Sequence, residues 1–377
     1  MQDKFLKPLP NEIEISVFGP GYGEGILIHV GNGAWIAIDC CQDPITKESV
    51  PLKYIQNLGY DSGSAIKHVI ASHWHEDHVR GLHDLLQAAT NAHFSCASVL
   101  TGVEFLALAE IYNDSTSAIP KNPKEIYNCL QTIEQRIKNS GKQMISWASA
   151  DKVLCKTSTP YNIKLTSLSP SDAMDTRSKK FMFDYISAIK KGCPDPKMTA
   201  TSPNDVAVAI LLEINGREII FGSDLEEEKN SNIQYGWSAV LNGNTISGTK
   251  SNVYKVAHHG SKTGHHALVW SNALTPKPIA FLTPFKHGKH KIPDLTERNT
   301  ILALTDQAYI SADPNVKVKA PKRANKVQAF VNGAVKNLRL ANGKVGHIRW
   351  RASIDDPTDL GKIELFDGAL HLSNVIP

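Results

Sequence analysis

The chain has 377 residues, a hydrophobic fraction of 41% and a formal net charge of +4 at pH 7. It can therefore bury a sizeable core, and its charge alone does not point to a partner. No apolar stretch is long enough to span a bilayer, so we expect no membrane span. Six cysteines show neither a paired metal-ligand spacing nor a disulfide framework, which is typical of free thiols in a reducing compartment.

The first predicted elements are strands at residues 13–18 and 26–30. The glycine-rich connection between them lacks the lysine and serine or threonine of a nucleotide-binding loop, so a flexible connection is favoured. A third strand at residues 35–38 ends in Asp39, which is either a turn or capping residue or a residue that supports a site. Residues 1–8 lack the apolar core of a signal peptide, so we expect a cytoplasmic location.

Four potential metal ligands follow a short strand predicted at residues 66–71. They are His73, His75, Asp77 and His78. Histidine and carboxylate side chains bind zinc and similar ions tightly, and a compact loop can direct several of them at one or two ions. A helix is predicted at residues 81–89, and sites in layered α/β folds form where loops leave the strands. Surface or packing histidines rarely show this spacing, so the sequence predicts a metal site.

Two further stretches separate this loop from the later strands. Helical periodicity within residues 95–150 predicts a helical insertion beside the site. Residues 171–203 are interpreted as an ordinary amphipathic helix. Neither stretch contributes a motif of its own.

Two later strands also end in side chains that bind metals. Residues 219–222 lead to Asp224, and residues 254–257 lead to the adjacent pair His258 and His259.

The region near the C-terminus is basic. No aspartate or glutamate occurs between Pro314 and Ser353, although Phe330 and Trp350 lie there. The segment carries ten positive side chains: Lys317, Lys319, Lys322, Arg323, Lys326, Lys336, Arg339, Lys344, Arg349 and Arg351. Basic residues with interspersed aromatic rings can neutralise phosphates and stack on bases, so one interpretation is a nucleic-acid surface. The other is a set of solvated faces of half-buried strands, as the alternation in residues 317–319 and 349–351 suggests.

The spacing His-x-His-x-Asp-His after a strand resembles the signature of the metallo-β-lactamase superfamily. Asp224 looks like the bridging carboxylate of that superfamily, and the histidine pair at 258–259 resembles its late histidine motif. Residues 204–226 and 258–263 resemble the soluble hydrolase domain of the ComEC DNA-uptake protein and its relatives. The resemblance extends over roughly residues 13–300.

The resemblance implies the fold. We expect an α/β protein with a four-layer αββα metallo-β-lactamase-like sandwich. The chain is expected to form a single such domain over residues 1–377, with the helical insertion at 95–150 and a basic C-terminal strand region at 301–377. The membrane channel of ComEC itself is not expected here.

Two departures from the related proteins affect the expected ligands. ComEC proteins usually have an aspartate where this chain has His75, so the first metal site is expected to be stronger here. Many superfamily members supply a further histidine before the bridging aspartate, but His83 and His93 lie too early in this chain. Asn204 or water is the candidate for that ligand position.

The ligand set implied by the resemblance holds two divalent ions, with zinc the first expectation and manganese the second. His73 and His75 would hold one ion, and Asp77 and His78 would hold the other together with His258 or His259. Asp224 would bridge the two ions. Water shared by two metals about 3.5–4 Å apart loses a proton near neutral pH and becomes a bridging hydroxide nucleophile.

Four side chains are candidates for a catalytic role. Asp77 could orient or deprotonate the nucleophilic water, and whichever of His258 and His259 does not bind metal would face the substrate or pack beneath the site. Lys262 and His290 are candidates for steadying a phosphate, although an ordinary surface position is the alternative for both.

The leading function from the sequence is a metal-dependent phosphodiesterase, and specifically a nuclease that acts on DNA or RNA. A second hypothesis is a hydrolase of a small ester, thioester or lactam. A third is an effector module that a regulatory partner protein controls. The oligomeric state does not follow from the sequence.

Overall fold

A computed structural model describes residues 3–20, 23–101, 105, 122–191, 202–228, 232–248, 250–287, 290–316, 324–334 and 345–376. Its strands are β1 (Glu12–Gly19), β2 (Gly25–Val30), β3 (Trp35–Ile38), β4 (Ile66–Ile70), β5 (His93–Ala97), β6 (Ile145–Ala148), β7 (Lys152–Thr157), β8 (Ile163–Ser167), β9 (Ile210–Ile214), β10 (Arg217–Phe221), β11 (Ser251–Lys255), β12 (Leu274–Leu282), β13 (Phe285–His287), β14 (His290–Ile292), β15 (Ala308–Ile310), β16 (Gly346–Ser353), β17 (Lys362–Phe366) and β18 (Leu370–His371).

The α-helices of the described residues are α1 (Val50–Asn57), α2 (Ser62–Ala65), α3 (Glu76–Val79), α4 (Leu82–Ala88), α5 (Asn122–Ser140), α6 (Asp172–Lys190), α7 (Gly236–Asn242), α8 (Leu295–Leu304) and α9 (Asn325–Ala334). Helix α4 corresponds to the helix predicted at residues 81–89. It begins after Gly81, whose φ of 84° lies in the left-handed region that glycine adopts at no steric cost. Among the described helices, none is both long and apolar enough to cross a bilayer.

The strands form two large sheets and one small hairpin. The first sheet has the order β17-β16-β1-β2-β3-β4-β5-β6, and the second has the order β18-β15-β12-β11-β10-β9-β8-β7. Among the described strands, β13 and β14 pair with each other and with no other strand. Two eight-stranded sheets with helices confirm the predicted α/β sandwich.

The pleat of the second sheet shows how the layers are stacked. Side chains alternate between the two faces of a strand. In β10, Ile219 and Phe221 share a hydrophobic cluster with strands of the first sheet, whereas Ile220 belongs to a second cluster with Trp237 of α7 and Ile301 of α8. One face of this sheet therefore packs on the first sheet and the other on helices.

Each sheet contains a run of neighbouring parallel strands. In the first sheet β3, β4, β5 and β6 are parallel, and in the second β10, β11, β12 and β15 are parallel. The loops after parallel strands leave the sheet on the same edge, where α/β folds place their sites. Each sheet therefore has one edge at which several loops converge.

The end of the basic segment is buried, and this corrects its interpretation as a nucleic-acid surface or a solvated strand face. β16 pairs with β1, and Arg349, Trp350 and Arg351 are at most 9% exposed. The guanidinium of Arg349 lies 2.7 Å from Glu364, and that of Arg351 lies 2.7 Å from Glu14. A buried guanidinium requires such a partner, so the alternation at 349–351 reflects internal ion pairs.

The remaining predicted regions are placed only in part. The stretch 95–150 contains the end of β5, helix α5 and the whole of β6, and its description as a helical insertion stays a prediction. Of the basic segment, Lys326 and Phe330 lie on α9, where Phe330 is 76% exposed. The other predicted positive residues outside β16 lie outside the described residues: Lys317, Lys319, Lys322, Arg323, Lys336, Arg339 and Lys344.

Candidate metal centre

The predicted ligands come from both sheets and meet between them. His73, His75, Asp77 and His78 follow β4 of the first sheet, Asp224 follows β10, and His259 follows β11 of the second sheet. β4, β10 and β11 each have a parallel neighbour, and these side chains follow the carboxyl ends of the three strands. The side chains form two clusters.

The first cluster consists of His73, His75 and Asp224. Their ligand atoms lie within 4.8 Å of one another. His73 Nε2 is 3.1 Å from His75 Nδ1 and 3.9 Å from Asp224 Oδ2. His73 and Asp224 are buried, while His75 is half-buried and forms the more open side of the cluster.

The second cluster consists of Asp77, His78 and His259, and it adjoins the first through Asp224. His259 Nε2 lies 3.4 Å from Asp77 Oδ2 and 3.5 Å from Asp224 Oδ2. His78 Nε2 lies 3.8 Å from Asp77 Oδ2 and 3.4 Å from Asp224 Oδ1. Asp224 thus directs one oxygen at each of two histidines and stands between the clusters.

These spacings fit a metal ion. Donor atoms about 2.0–2.2 Å from a tetrahedral zinc ion lie about 3.3–3.6 Å from one another. His78 Nε2, His259 Nε2 and Asp224 Oδ1 are buried and have no hydrogen-bond partner in the protein. Buried polar atoms without partners are costly, so this concentration of three such atoms at one point indicates a place for a cation.

Asp39 lies directly behind the clusters. Its carboxylate accepts a hydrogen bond from Nδ1 of His78 at 2.7 Å and from the backbone and hydroxyl of Ser72 at 2.7 and 2.6 Å. Asp39 has a φ of 58° and is buried. Of its two predicted roles, support of the site is therefore the one that the contacts show.

The electrostatics of the metal-free clusters set the two histidine environments apart. Burial lowers the pKa of His78 most, but Asp224 and Asp77 outweigh it, so the net pKa is raised well above the ordinary value. Burial, together with the charge of His78, lowers the pKa of His73 well below the ordinary value for histidine. Burial raises the pKa of Asp77 and Asp224, but His78 and His259 reverse this and lower both. Both carboxylates are therefore ionised at neutral pH.

His258 lies beside the clusters and outside both of them. Its Nδ1 is 2.7 Å from a carboxylate oxygen of Glu226 and 3.0 Å from the hydroxyl of Thr263, and its Nε2 is 3.3 Å from the amide nitrogen of Asn204. Burial lowers the pKa of His258, but the bond to Glu226 and the charge of Asp224 raise it overall. Asn204, the candidate for the missing ligand, contacts His258 and Glu226.

The two adjacent histidines both have a left-handed backbone conformation. His258 and His259 have φ values of 45° and 56°, and Ser223, next to Asp224, has a φ of 47°. Non-glycine residues in the left-handed region cost of order 1–3 kcal/mol each and persist where surrounding contacts enforce them, which is common at functional sites. The strain thus falls on the residues that deliver the clustered side chains of the second sheet.

The two candidates for steadying a phosphate lie at the surface. Lys262 has an exposed side chain, and its backbone NH donates to Glu297. His290 is exposed on the β13–β14 hairpin, and Phe285 of that hairpin stacks on His259 with ring centroids 5.5 Å apart. The hairpin is therefore next to the second cluster, although neither candidate contacts a cluster directly among the described contacts.

Several residues that contact the candidate ligands were not among the predicted site residues. Glu24, immediately before β2, forms a buried ion pair with Lys255 at 2.8 Å, and Thr283 links Glu24 to His259. A lysine at the end of a largely buried strand is the available signal, because a charged side chain in such a strand requires a partner. The predicted flexible glycine connection also reaches the site: a Cβ on Gly23 would lie 1.7 Å from the carbonyl oxygen of Asp77.

Comparison with known proteins agrees with the motif and the fold. Residues 26–103 match the family model described as "Metallo-beta-lactamase superfamily". No curated protein matches the chain in sequence. The matched residues include β2 to β5 and the four candidate ligands that follow β4.

Solved structures of similar proteins are distant. They include the metallo-beta-lactamase fold protein YhfI from Bacillus subtilis, with 13% identity, a TM-score of 0.30 and coverage of 65% of this chain and 70% of that one. A metallo-beta-lactamase with a HARLDQ motif from Cronobacter sakazakii has 14% identity and a TM-score of 0.35, with coverage of 66% of this chain and 78% of that one. The MIM-2 metallo-beta-lactamase has 14% identity and a TM-score of 0.34, with coverage of 70% of this chain and 81% of that one. These likenesses carry no argument about the substrate. The match to the family model shows that residues 26–103 of this chain are similar to the metallo-beta-lactamase superfamily.

Proposed function

We propose that the protein is a metal-dependent phosphodiesterase, and specifically a nuclease. The observation that carries the hydrolase part is the meeting of His73, His75, Asp77, His78, Asp224 and His259 between the two sheets, with buried ligand atoms that lack any other partner. All of these donors are nitrogen or oxygen, a set that suits zinc and also manganese. Two divalent ions held there supply an activated water and stabilise negative charge on a phosphoryl oxygen.

The chain's own residues then have distinct roles in the proposal. Asp224 spans the two clusters and fixes their separation. Asp77 has a side chain that is 23% exposed, so it can accept a proton or hydrogen bond from water at the open side. Nδ1 of His258 contacts Glu226, and Nε2 of the same ring lies near Asn204. In the proposal this position beside the clusters suits contact with substrate.

Support for nucleic acid as substrate is separate from the metal centre. It consists of the sequence pattern shared with the ComEC-type hydrolase domain and the acid-free basic segment, of which Lys326 is exposed on α9. Lys262 and His290 remain candidates for holding a phosphate. Because Arg349 and Arg351 are buried in ion pairs, the part of this support that comes from charge rests on the other residues of the basic segment.

The decisive experiment assays the purified chain, loaded with zinc or manganese, against single-stranded DNA, RNA, a phosphodiester reporter, a thioester and a lactam. We expect metal-dependent cleavage of a phosphodiester, abolished by His75→Ala and Asp224→Ala and retained by His371→Ala, a histidine on β18. Full cleavage by the first two variants would contradict the metal mechanism. Cleavage of only the thioester or lactam would favour the small-substrate hydrolase, and activity only with an added partner protein would favour the gated module.

Binding of nucleic acid can be tested apart from cleavage. Neutralising Lys322, Arg323 and Lys326 together should weaken binding of single-stranded DNA and reduce the slope of log affinity against log salt by about 2, because each phosphate contact contributes roughly 0.7. Neutralising Lys142, Lys152 and Lys156, which lie outside the basic segment, is the control. An unchanged slope in the first variant would remove this segment from the binding surface.

A further inference from the structure

A buried ion pair joins the two sheets beside the metal centre. Glu24 precedes β2 of the first sheet, and Lys255 is the last residue of β11 of the second. The Lys255 Nζ and Glu24 Oε2 atoms are 2.8 Å apart, and the two side chains are 0% and 1% exposed. Neither residue belongs to a ligand cluster.

The pair is connected to a ligand from each sheet. On the first sheet, the backbone NH of Glu24 donates to the carbonyl oxygen of Asp77 at 2.7 Å. On the second, the hydroxyl of Thr283 donates to the Glu24 carboxylate, and both the carbonyl and hydroxyl oxygens of Thr283 lie 3.0 Å from Nδ1 of His259. Asp77 and His259 are members of the second cluster that come from different sheets.

The contacts fix the orientation of the His259 ring. A proton on Nδ1 is donated to the carbonyl oxygen of Thr283, which leaves Nε2 free for a metal. The Thr283 hydroxyl is itself held by Glu24, and the remaining charge of Glu24 is balanced by Lys255. Polar contacts therefore run without a break from the Glu24–Lys255 ion pair through Thr283 to His259.

Stability alone does not explain this arrangement. Well-packed apolar residues in place of a buried ion pair are often as stable or more stable, while removal of one partner is costly because a lone charge stays buried. An apolar pair, however, could not accept the hydrogen bond from the Thr283 hydroxyl beside His259.

We propose that the Glu24–Lys255 pair is an inter-sheet clamp that positions Asp77 and His259 for one metal ion. The clamp acts through the ligands and touches neither substrate nor metal, so both residues are positioning residues. This inference rests on the proposed metal centre, and its test therefore measures metal binding directly and does not depend on catalysis.

The test uses Glu24→Gln and the double variant Glu24→Gln/Lys255→Met, each on the His75→Ala background. That background lacks a ligand of the first cluster, so bound zinc reports on the second. Zinc affinity is measured by competition with a chromophoric chelator, and folding by thermal unfolding. We expect both variants to bind zinc about 10–100-fold more weakly than His75→Ala alone, the usual effect of removing a partner of a metal ligand. The double variant buries no lone charge and should keep its thermal stability.

The matched control is Glu364→Gln on the same background, because Arg349 and Glu364 form another inter-strand ion pair with a buried guanidinium, within the first sheet. It should leave zinc affinity unchanged. Wild-type affinity in the folded double variant would overturn the clamp, as would an equal loss in Glu364→Gln. If the wild-type chain takes up no zinc at all, the metal centre itself fails and the clamp fails with it, which is a distinct result.

Discussion

The two ligand clusters share Asp224 but differ in what lies behind their imidazole rings. In the second cluster, His78 donates to the buried Asp39 carboxylate at 2.7 Å. In the first, His73 Nδ1 meets only the hydroxyl of Ser72 at 2.9 Å, and His75 lies at the more open side. A carboxylate partner raises the basicity of an imidazole and fixes its orientation. On the proposed metal centre, we therefore expect the second cluster to bind a metal ion more tightly than the first.

The largest effect should come from the residue that both clusters share. Asp224→Ala removes an oxygen from each cluster and leaves His78 and His259 facing a gap, so both ions should be weakened and activity should fall by at least the roughly 10²–10³-fold that loss of one transition-state-stabilising group causes. Metal analysis after dialysis checks the binding. Two retained equivalents would show that Asp224 does not join the clusters.

The asymmetry is tested more sharply by removing the support of one cluster. Asp39→Asn keeps the shape and tolerates a φ of 58°, since asparagine adopts the left-handed region. Loss of the charge behind His78 should weaken the second ion about 10–100-fold and leave the first nearly unchanged. Asp151→Asn, at another left-handed aspartate with a φ of 59°, is the control. A larger loss at the first cluster would reverse the inferred order.

The clusters should also differ in their dependence on pH. The raised pKa of His78 means that it holds a proton near neutral pH without metal, whereas His73, with its lowered pKa, does not. Loading the second cluster must displace that proton, so its affinity should fall up to about tenfold for each pH unit below the pKa of His78. Calorimetry in buffers with different ionisation enthalpies measures the release. Equal proton release from both sites would contradict the distinction.

The smallest effects are expected outside the clusters. Lys262→Ala and His290→Ala should raise KM for a phosphodiester by a few-fold while metal content stays constant, because exposed ion pairs contribute only about 0–1 kcal/mol. The KM and kcat values, measured separately on the metal-loaded protein, check this. A large fall in kcat for either variant would place that side chain at the reacting phosphate.

The clustering of the candidate ligands of the first sheet could be predicted because these residues are local. His73 to His78 occupy one short loop, so a single strand and a spacing rule suffice to bring them together. The same reasoning placed Asp224 and the histidine pair at strand ends, but it could not distinguish His258 from His259. That choice depends on two left-handed backbone conformations and on contacts with Glu226 and Thr283, which lie far apart in the chain.

The fold class could be predicted from the sequence. The pairing of strands that lie far apart in the chain could not. Strand-like apolar segments predicted β1, β2 and β3, and the structure confirms them within one or two residues. The assignment of the segment around Arg349 went wrong because charge in a strand was interpreted as exposure. Only the pairing of β16 with β1 and β17 shows that Glu14 and Glu364 neutralise these arginines, and residues 14 and 351 are separated by 337 positions.

This pairing of distant segments has a consequence for how the chain folds. β1 lies in the interior of the first sheet, yet one of its two neighbours is supplied by residues 346–353. Until that segment arrives, the apolar strand with Ile13, Ile15 and Val17 presents an open row of backbone hydrogen-bonding groups, which is a template for intermolecular strand pairing. Folding that waits for so long a loop to close is slow. We therefore expect the yield of refolding to be limited by aggregation through β1, and dilution of the chain to relieve it.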